Sequence, residues 1–236
     1  SGNKPADRVN LLLDLYECYK NLNPKHETLD EFIFWGDVIL GDFDDVDKYL
    51  VDPVRLFANV TEFKEIQDSY SYLTENQRRA IESFISHFSS EGRLTVNLNS
   101  DNPNVKERFL QIWNILLPLY ANFRERLAGK ELAYEGMVYR GLAARLDSEA
   151  AVDVLSAAFG DVNEYVFVGL NALNECEKKV MRRMRDAGIA EFCWDYSSEM
   201  VRNPLNKSSF FMSRNVKEFP QAFEMDLEGL KLLRSR

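Results

Sequence analysis

The chain contains 236 residues, of which 29 are Lys or Arg and 38 are Asp or Glu, so its formal net charge is −9. A hydrophobic fraction of 45% with 28% charged residues is typical of a globular protein of one large or two small domains, and it excludes a disordered chain. Three cysteines and two histidines exclude a disulfide framework and nearly exclude a His/Cys zinc site, so we expect a reducing, cytoplasmic location. No apolar run approaches the roughly 18 residues of a membrane span, and we expect no membrane partner.

Helical periodicity dominates the first half of the chain. The chain begins Ser-Gly-Asn, and we expect residues 1–6 to be an unstructured processing or cloning remnant on a piece excised from a longer protein. Apolar spacing predicts one helix over 7–22 and a long helix over about 104–128. Between them, a capping box formed by Thr28 and Glu31 predicts the start of another helix.

The second half has the pattern of a βαβ unit. The run 165–169 is apolar and rich in β-branched and aromatic residues, which predicts a strand buried on both faces. Asn174, with Glu177 three residues later, predicts the start of a helix, and 189–194 predicts the second strand. The two strands should therefore be parallel neighbours.

The expected architecture is mainly α with a small parallel sheet. We divide the chain into a helical module over 7–130 and an α/β fragment over 131–236. The stretch from Tyr196 to about Pro220 predicts a loop, and the last residues predict a mobile tail.

An acidic stretch follows Trp35. Its members are Asp37, Asp42, Asp44, Asp45 and Asp47. Clustered carboxylates can hold a metal ion, but the spacing lacks the order of an EF-hand loop. The other interpretation is a solvated helix end, with Phe43, Val46 and Tyr49 packing inward.

Motifs for nucleophilic and phosphate chemistry are missing from the sequence. There is no G-x-S-x-G elbow, and Gly129-Lys130 is followed by Glu131 where a phosphate loop needs Ser or Thr. Glu177-Lys178-Lys179 matches only the last positions of a PD-(D/E)-x-K nuclease core. We therefore predict no catalytic residue.

The helix after Asn174 carries the one basic cluster of the chain. The cluster consists of Lys178, Lys179, Arg182, Arg183 and Arg185. An apolar stripe is predicted on the inner face, formed by Cys176, Val180, Met184 and Ala187. The basic residues predict either a face that follows DNA phosphates or a solvated outer face whose late cations suit the helix dipole. No aromatic residue interleaves with them, so base stacking is not predicted there.

The carboxyl ends of the two predicted strands form a second candidate site, because open α/β sheets bind ligands beyond those ends. This strand-end rim comprises 169–172 and 195–198. Asn171 and Asp195 are its polar candidates, and Asp195 is the only carboxylate there. A structural role is the alternative, since neither a lysine nor a glycine loop accompanies it.

The chain resembles the AddB-like, PD-(D/E)XK-family subunits of bacterial helicase–nuclease complexes of the Bacteroidetes type. The similar stretches are EFIFWGDVILGDFDDVDKYLVDP (31–53), ERFLQIWNILLPLY (107–120), LAYEGMVYR (132–140) and YVFVGLNALNECEKK (165–179). The resemblance covers roughly residues 7–220. The order of elements is also similar to the approach to the Walker B strand in UvrD-like superfamily 1 helicases, with 133–137 in place of the DFDDL turn and 168–172 in the Walker B position.

This resemblance implies a helical insertion module followed by part of a degenerate P-loop helicase-like core. The Walker B acids of active helicases are replaced here by Gly169 and Leu170, neither of which can ligate Mg²⁺. ATP and Mg²⁺ are therefore expected only in other parts of the full protein, and no cofactor is expected in this chain. Asp195 keeps the aspartate of the next helicase motif, but Trp194 replaces its glycine.

The resemblance also implies a function. The chain would be a non-catalytic scaffold that handles single-stranded or forked DNA in double-strand-break repair and recombination, beside a partner helicase–nuclease subunit. The alternative is a protein–protein interaction module that docks this partner without touching DNA, which the net charge of −9 favours. A small-molecule enzyme that uses the strand-end rim is a third class, which no motif supports.

Overall fold

The computed structural model describes residues 3–24, 26, 28–57, 103–160, 162–194 and 210–221, and for 103–114 it describes the backbone alone. In chain order the elements are β1 (Lys4–Pro5), α1 (Arg8–Leu22), α2 (Leu29–Lys48), α3 (Pro53–Phe57), α4 (Pro103–Gly129), β2 (Leu132–Ala133), α5 (Glu135–Ser148), α6 (Ala151–Phe159), β3 (Tyr165–Val168), α7 (Glu175–Asp186), β4 (Ala190–Cys193) and α8 (Phe210–Glu218). These elements confirm the predicted fold class, mainly α with small parallel sheets. None of the helices in the described ranges combines the length and the hydropathy that a bilayer span requires.

The chain divides into two compact units, Ser1–Gly141 and Leu142–Arg236. The division falls inside α5, because β2 and the residues that follow it pack with the first unit. The domain limits of 7–130 and 131–236 were drawn from a change in sequence pattern, and they stay a prediction.

The start of the chain pairs with a distant segment. Lys4 and Pro5 form β1, which runs parallel to Leu132 and Ala133 of β2. The Lys4 N–H donates to the Glu131 carbonyl at 2.8 Å. The expectation that residues 1–6 lack structure does not hold for these two residues, because their order comes from a strand that no local pattern reveals.

Side-chain caps start the first two helices where the sequence predicts. The Asp7 carboxylate accepts a hydrogen bond from the Asn10 N–H at 3.0 Å, so α1 begins just after it. The Thr28 N–H donates to the Glu31 carboxylate at 3.2 Å, as the predicted capping box requires. The long helix predicted over 104–128 is α4.

Apolar faces of α1, α2 and α4 form the core of the first unit. Its largest fully buried side chains include Leu15, Phe32, Ile39, Phe43, Leu116, Phe123 and Leu127. An ion cluster borders this core, where Asp14 of α1 accepts hydrogen bonds from Arg126 of α4 at 2.6 Å and from Lys130, just after α4, at 2.5 Å. Although burial opposes them, these two cations lower the pKa of Asp14.

A second carboxylate, Asp47 of α2, lies inside the first unit with no exposed surface. It accepts hydrogen bonds from the hydroxyls of Tyr120 and Tyr134, both at 2.5 Å. Arg124 forms a charged hydrogen bond with it, and the Arg140 Nε lies 2.6 Å from its Oδ1. One carboxylate therefore connects α2, α4, the residue after β2, and α5.

The second unit contains the predicted βαβ arrangement. β3 and β4 are parallel neighbours, with Tyr165 opposite Ala190 and Val168 opposite Cys193. Asn174 caps α7, since its side chain accepts from the Glu177 N–H at 2.9 Å. The helix ends before Gly188, whose φ of +71° is a conformation that favours glycine.

Within the part of the chain that the structure describes, the sheet of the second unit is covered on one face only. Phe167 packs on Phe192 with 5.5 Å between ring centroids, in a core that also receives α7 and α8. On the other face, Val166 is 52% exposed and Val168 is 67% exposed. The prediction that this strand is buried on both faces was therefore wrong.

A helix occupies part of the stretch that we predicted to be a loop from Tyr196 to Pro220. This helix is α8, and the loop prediction was wrong for it. Met212, Val216 and Phe219 lie at i, i+4 and i+7 and pack on the core of the second unit. The predicted mobile tail lies outside the described residues.

Replacing Asp47 with Asn should lower the free energy of unfolding by roughly 3 kcal/mol, because the half-buried guanidiniums of Arg124 and Arg140 would lose their counter-charge. Urea unfolding followed by far-UV circular dichroism measures this change. The matched control is Asp37→Asn, whose ion pair with Arg8 is exposed and contributes at most about 1 kcal/mol. Equal losses in the two variants would contradict the structural role of Asp47.

Candidate functional site

The five basic residues predicted to form a DNA-contacting face do lie together on α7, but each is paired with a carboxylate. The Lys178 Nζ lies 2.9 Å from Glu175, one turn earlier on the same helix. Lys179 reaches Asp147 of α5 at 2.7 Å, and Arg183 lies 3.5 Å from the same carboxylate. Hydrogen bonding from Lys179 lowers the pKa of Asp147.

The other two arginines of the cluster bind α8. Arg182 makes a charged hydrogen bond to Glu218, and a second carboxylate, Glu175, lies 3.5 Å away. Arg185 donates to the Glu218 backbone carbonyl at 2.6 Å and pairs with Asp186 at 2.8 Å. Glu218 therefore receives a contact from each arginine through different atoms.

Most of the positive charge on the basic face of α7 is thus offset by carboxylates. Four carboxylates, Asp147, Glu175, Asp186 and Glu218, lie against five cations. A cation that binds DNA gains free energy by releasing the counterions of a phosphate, and it must first give up any carboxylate it already holds. The arrangement fits the second interpretation of this helix, an outer face stabilised by local ion pairs.

More of the surface of α7 is buried than the single predicted apolar stripe. Cys176 and Met184 are buried, as that stripe requires, and so is Met181. Met181 belongs to the core under the sheet, whereas Val180 packs on a separate cluster with α5 and α6. Because α7 packs in two directions, less of its surface faces solvent than the sequence pattern indicates.

Helix α8 packs on the half of the strand-end rim that the structure describes, residues 169–172. The Asn215 side chain is buried and donates to the Asn171 carbonyl at 2.6 Å. The Trp194 indole N–H donates to the Phe219 carbonyl at 2.7 Å. Sequence reasoning missed Asn215 and Phe219 as rim residues, although the spacing of the apolar residues of α8 could have revealed the helix. Asp195, the other rim candidate, lies outside the described residues.

Gly169, which the sequence resemblance alone puts in a Walker B position, has a backbone reason to be glycine. Gly169 follows β3 with a φ of +70°, a conformation that L side chains rarely adopt. Leu170 packs against the apolar core under the sheet. An acidic side chain at 169 would be strained, and one at 170 would replace an apolar contact.

The carboxylates of the acidic stretch of α2 contact different groups and do not converge on one point. Asp37 pairs with Arg8 at 2.5 Å, and Asp44 accepts from the Gly136 N–H at 2.5 Å. A side chain at Gly136 would collide with the Asp44 carbonyl, so the start of α5 approaches α2 as closely as a glycine permits. In the ranges that the structure covers, no group of three or more His, Cys, Asp or Glu could hold a metal ion. The interpretation as a solvated helix end was wrong for Asp47, which is fully buried.

Asp42 differs from the rest of the stretch, because its Oδ2 is buried and makes no hydrogen bond within the described residues. Burial raises the pKa of Asp42 to about 8, and the nearby charge of Asp45 adds to the effect. The folded protein therefore holds this carboxyl in its neutral form through most of the physiological pH range.

Comparison with known proteins gives no relative for this chain: no family model, no curated protein and no solved structure matches it. Its candidate function therefore depends on the contacts described above and on the resemblance drawn from its sequence.

The double variant Asp147→Asn/Glu218→Gln should bind polyanions more tightly than the parent chain, because it frees Lys179 and Arg183 from Asp147 and leaves Arg182 only its longer contact with Glu175. Elution from heparin should shift to higher salt. The control is Glu125→Gln/Asp153→Asn, which changes the net charge equally at two exposed carboxylates, neither of which is an ion-pair partner of the α7 cations described above. Equal shifts in the two variants would show that net charge, and not the pairing on α7, determines polyanion binding.

The stability of the first unit should fall as the pH rises from about 4 to about 8, because the raised pKa of Asp42 makes the folded state hold a proton that the unfolded state has released. Asp42→Asn should reduce this slope, leaving the part that comes from Asp45, whose pKa burial also raises, and should unfold at a higher urea concentration than the parent at pH 8. Glu125→Gln, an exposed carboxyl in the same unit, should leave the slope unchanged. A parent chain whose urea midpoint does not change over this range would contradict the buried, neutral state of Asp42.

Proposed function

We propose that this chain is a non-catalytic protein–protein interaction region, in the helicase–nuclease setting that its resemblance implies. One observation carries the proposal: β3 exposes an apolar face and an edge with which no strand of the described ranges pairs, while the cations of the neighbouring basic helix are paired with carboxylates of the same unit. We call the exposed side of β3, with Val166 and Val168, the open sheet surface.

The open sheet surface is unusual for its fold class. Parallel strands occur almost only in sheets whose two faces are both covered. Two strands alone are marginally stable, and an exposed apolar edge is a template for pairing with another chain. In the described residues one face is covered by α7 and α8, and the other carries two exposed valines. This supports a role in which another polypeptide completes the sheet.

Direct contact of α7 with DNA is the less favoured alternative. Its cations would have to exchange Asp147, Glu175 and Glu218 for phosphates, in a chain whose net charge of −9 repels DNA. The DNA-handling role and the cytoplasmic location remain predictions from the resemblance and the composition.

The contacts of the second unit also favour a role without chemistry of its own. Asn215 of α8 donates to the Asn171 carbonyl in the described half of the strand-end rim, at the end of the sheet where open α/β sheets bind ligands, and Phe219 just after α8 accepts from Trp194 beside it. The Walker B-like position is held by a glycine in a conformation that disfavours a carboxylate. These two features support a structural use of a helicase-like core.

The chain should not bind labelled single-stranded or forked DNA at about 50 mM salt, as measured by fluorescence anisotropy, because phosphate contacts need free cations. Binding that weakens by orders of magnitude between about 50 and 200 mM salt, and is lost in Lys178→Glu/Arg182→Glu, would overturn the proposal and support the DNA-handling alternative. Binding unchanged in that variant would assign DNA contact to another surface, which would equally contradict a region that acts without DNA.

A further inference from the structure

We propose that the free edge of β3 pairs in antiparallel register with the same edge of a second copy of this chain. The two sheets would then join into one sheet with the order β4, β3, β3, β4. This inference rests on the proposed function, because it names the polypeptide that covers the open sheet surface.

The backbone of β3 has one edge in use and one edge free. The Tyr165 N–H donates to the Ile189 carbonyl at 2.9 Å, and the Gly169 N–H donates to the Cys193 carbonyl at 3.2 Å. In a parallel ladder alternate residues of a strand face the neighbouring strand. Val166 and Val168 therefore direct their N–H and C=O groups to the opposite edge, with which no strand of the described ranges pairs.

This free edge is complementary to itself. In an antiparallel pair, two residues directly opposite each other exchange both of their backbone hydrogen bonds. If a twofold axis passes beside Phe167, Val166 lies opposite Val168 of the second copy, and Val168 lies opposite Val166. In this register every outward N–H and C=O group of β3 forms a hydrogen bond with the other copy. Because both copies contribute the same residues, the contact is the isologous one of a twofold dimer.

The side chains favour the same register. Val166 and Val168 point to the exposed face, so the dimer would place four valines side by side across the new junction, where β-branched pairs stabilise a sheet. Glu164 would lie opposite Leu170 of the second copy and not opposite another carboxylate. The strand contains no proline and no charged residue. Natural proteins place such residues on exposed strands to prevent edge pairing.

Sedimentation velocity over a range of concentrations tests the association. The parent chain, of 27.4 kDa, should show a reversible shift toward twice that mass as its concentration rises. Val168→Lys, which puts a charge on the junction, and Val168→Pro, which removes an outward N–H, should each weaken dimerisation by about tenfold or more. Val54→Lys is the control, since Val54 is 57% exposed on α3 in the other unit, and it should leave the dimer unchanged.

Disulfide trapping tests the register. In a Cys193→Ser background, a mixture of differently tagged Val166→Cys and Val168→Cys chains should form a mixed disulfide on mild oxidation, because directly opposite residues have their Cα atoms about 5.5 Å apart. Either variant alone should not cross-link, since the same residue in the two copies lies on a diagonal, about 7–8 Å away.

Several results would overturn the inference. They are a chain that stays monomeric at the highest concentration, a dimer that Val168→Lys and Val168→Pro leave intact, and a cross-link of Val166→Cys with itself. Circular dichroism of each variant establishes that a lost dimer is not lost folding. A monomer that also fails to bind DNA would leave the proposed function standing and reject only the second copy as its partner, whereas salt-dependent DNA binding would reject the proposed function itself.

Discussion

Pairing of cations with carboxylates inside each unit is the interaction on which both the stability and the surface character of this protein depend. In the first unit, Asp47 accepts two tyrosine hydroxyls and pairs with Arg124 and Arg140. A carboxylate with no exposed surface is tolerated only when its charge and its lone pairs are both satisfied. In the second unit the same kind of pairing lies at the surface of α7, where it removes free positive charge rather than filling a core.

The ion pairs of the two units connect different kinds of segments. The Asp47 cluster joins segments that are distant in sequence, and Arg140 extends it by donating to the backbone carbonyls of Val46 and Val51 at 2.8 and 2.6 Å. The pairs on α7 connect a crossover helix to α5 and α8. The cations of that helix are paired, whereas the open sheet surface of the same unit is uncharged and exposes Val166 and Val168.

This distribution of charge and apolar surface connects the fold to the proposed function. A nucleic-acid site needs cations that are available to phosphates, and α7 has committed its cations to carboxylates. A docking site needs apolar surface and unpaired backbone groups, and the edge of β3 offers both. The helicase–nuclease setting, in which a degenerate helicase-like core would serve as a structural part, stays a prediction from the sequence.

Local sequence determined where the main helices and strands begin and end, because capping boxes, glycine stops and apolar spacing act within a few residues. The tertiary structure alone decided the pairing of Lys4 with Leu132, the burial of Asp47, the exposure of Val166, and the partners of the basic residues on α7. Each of these depends on segments far apart in the chain. A charged or apolar side chain has the same local pattern whether it faces solvent, a counter-charge or a core, and only the assembled neighbours determine which of these it meets.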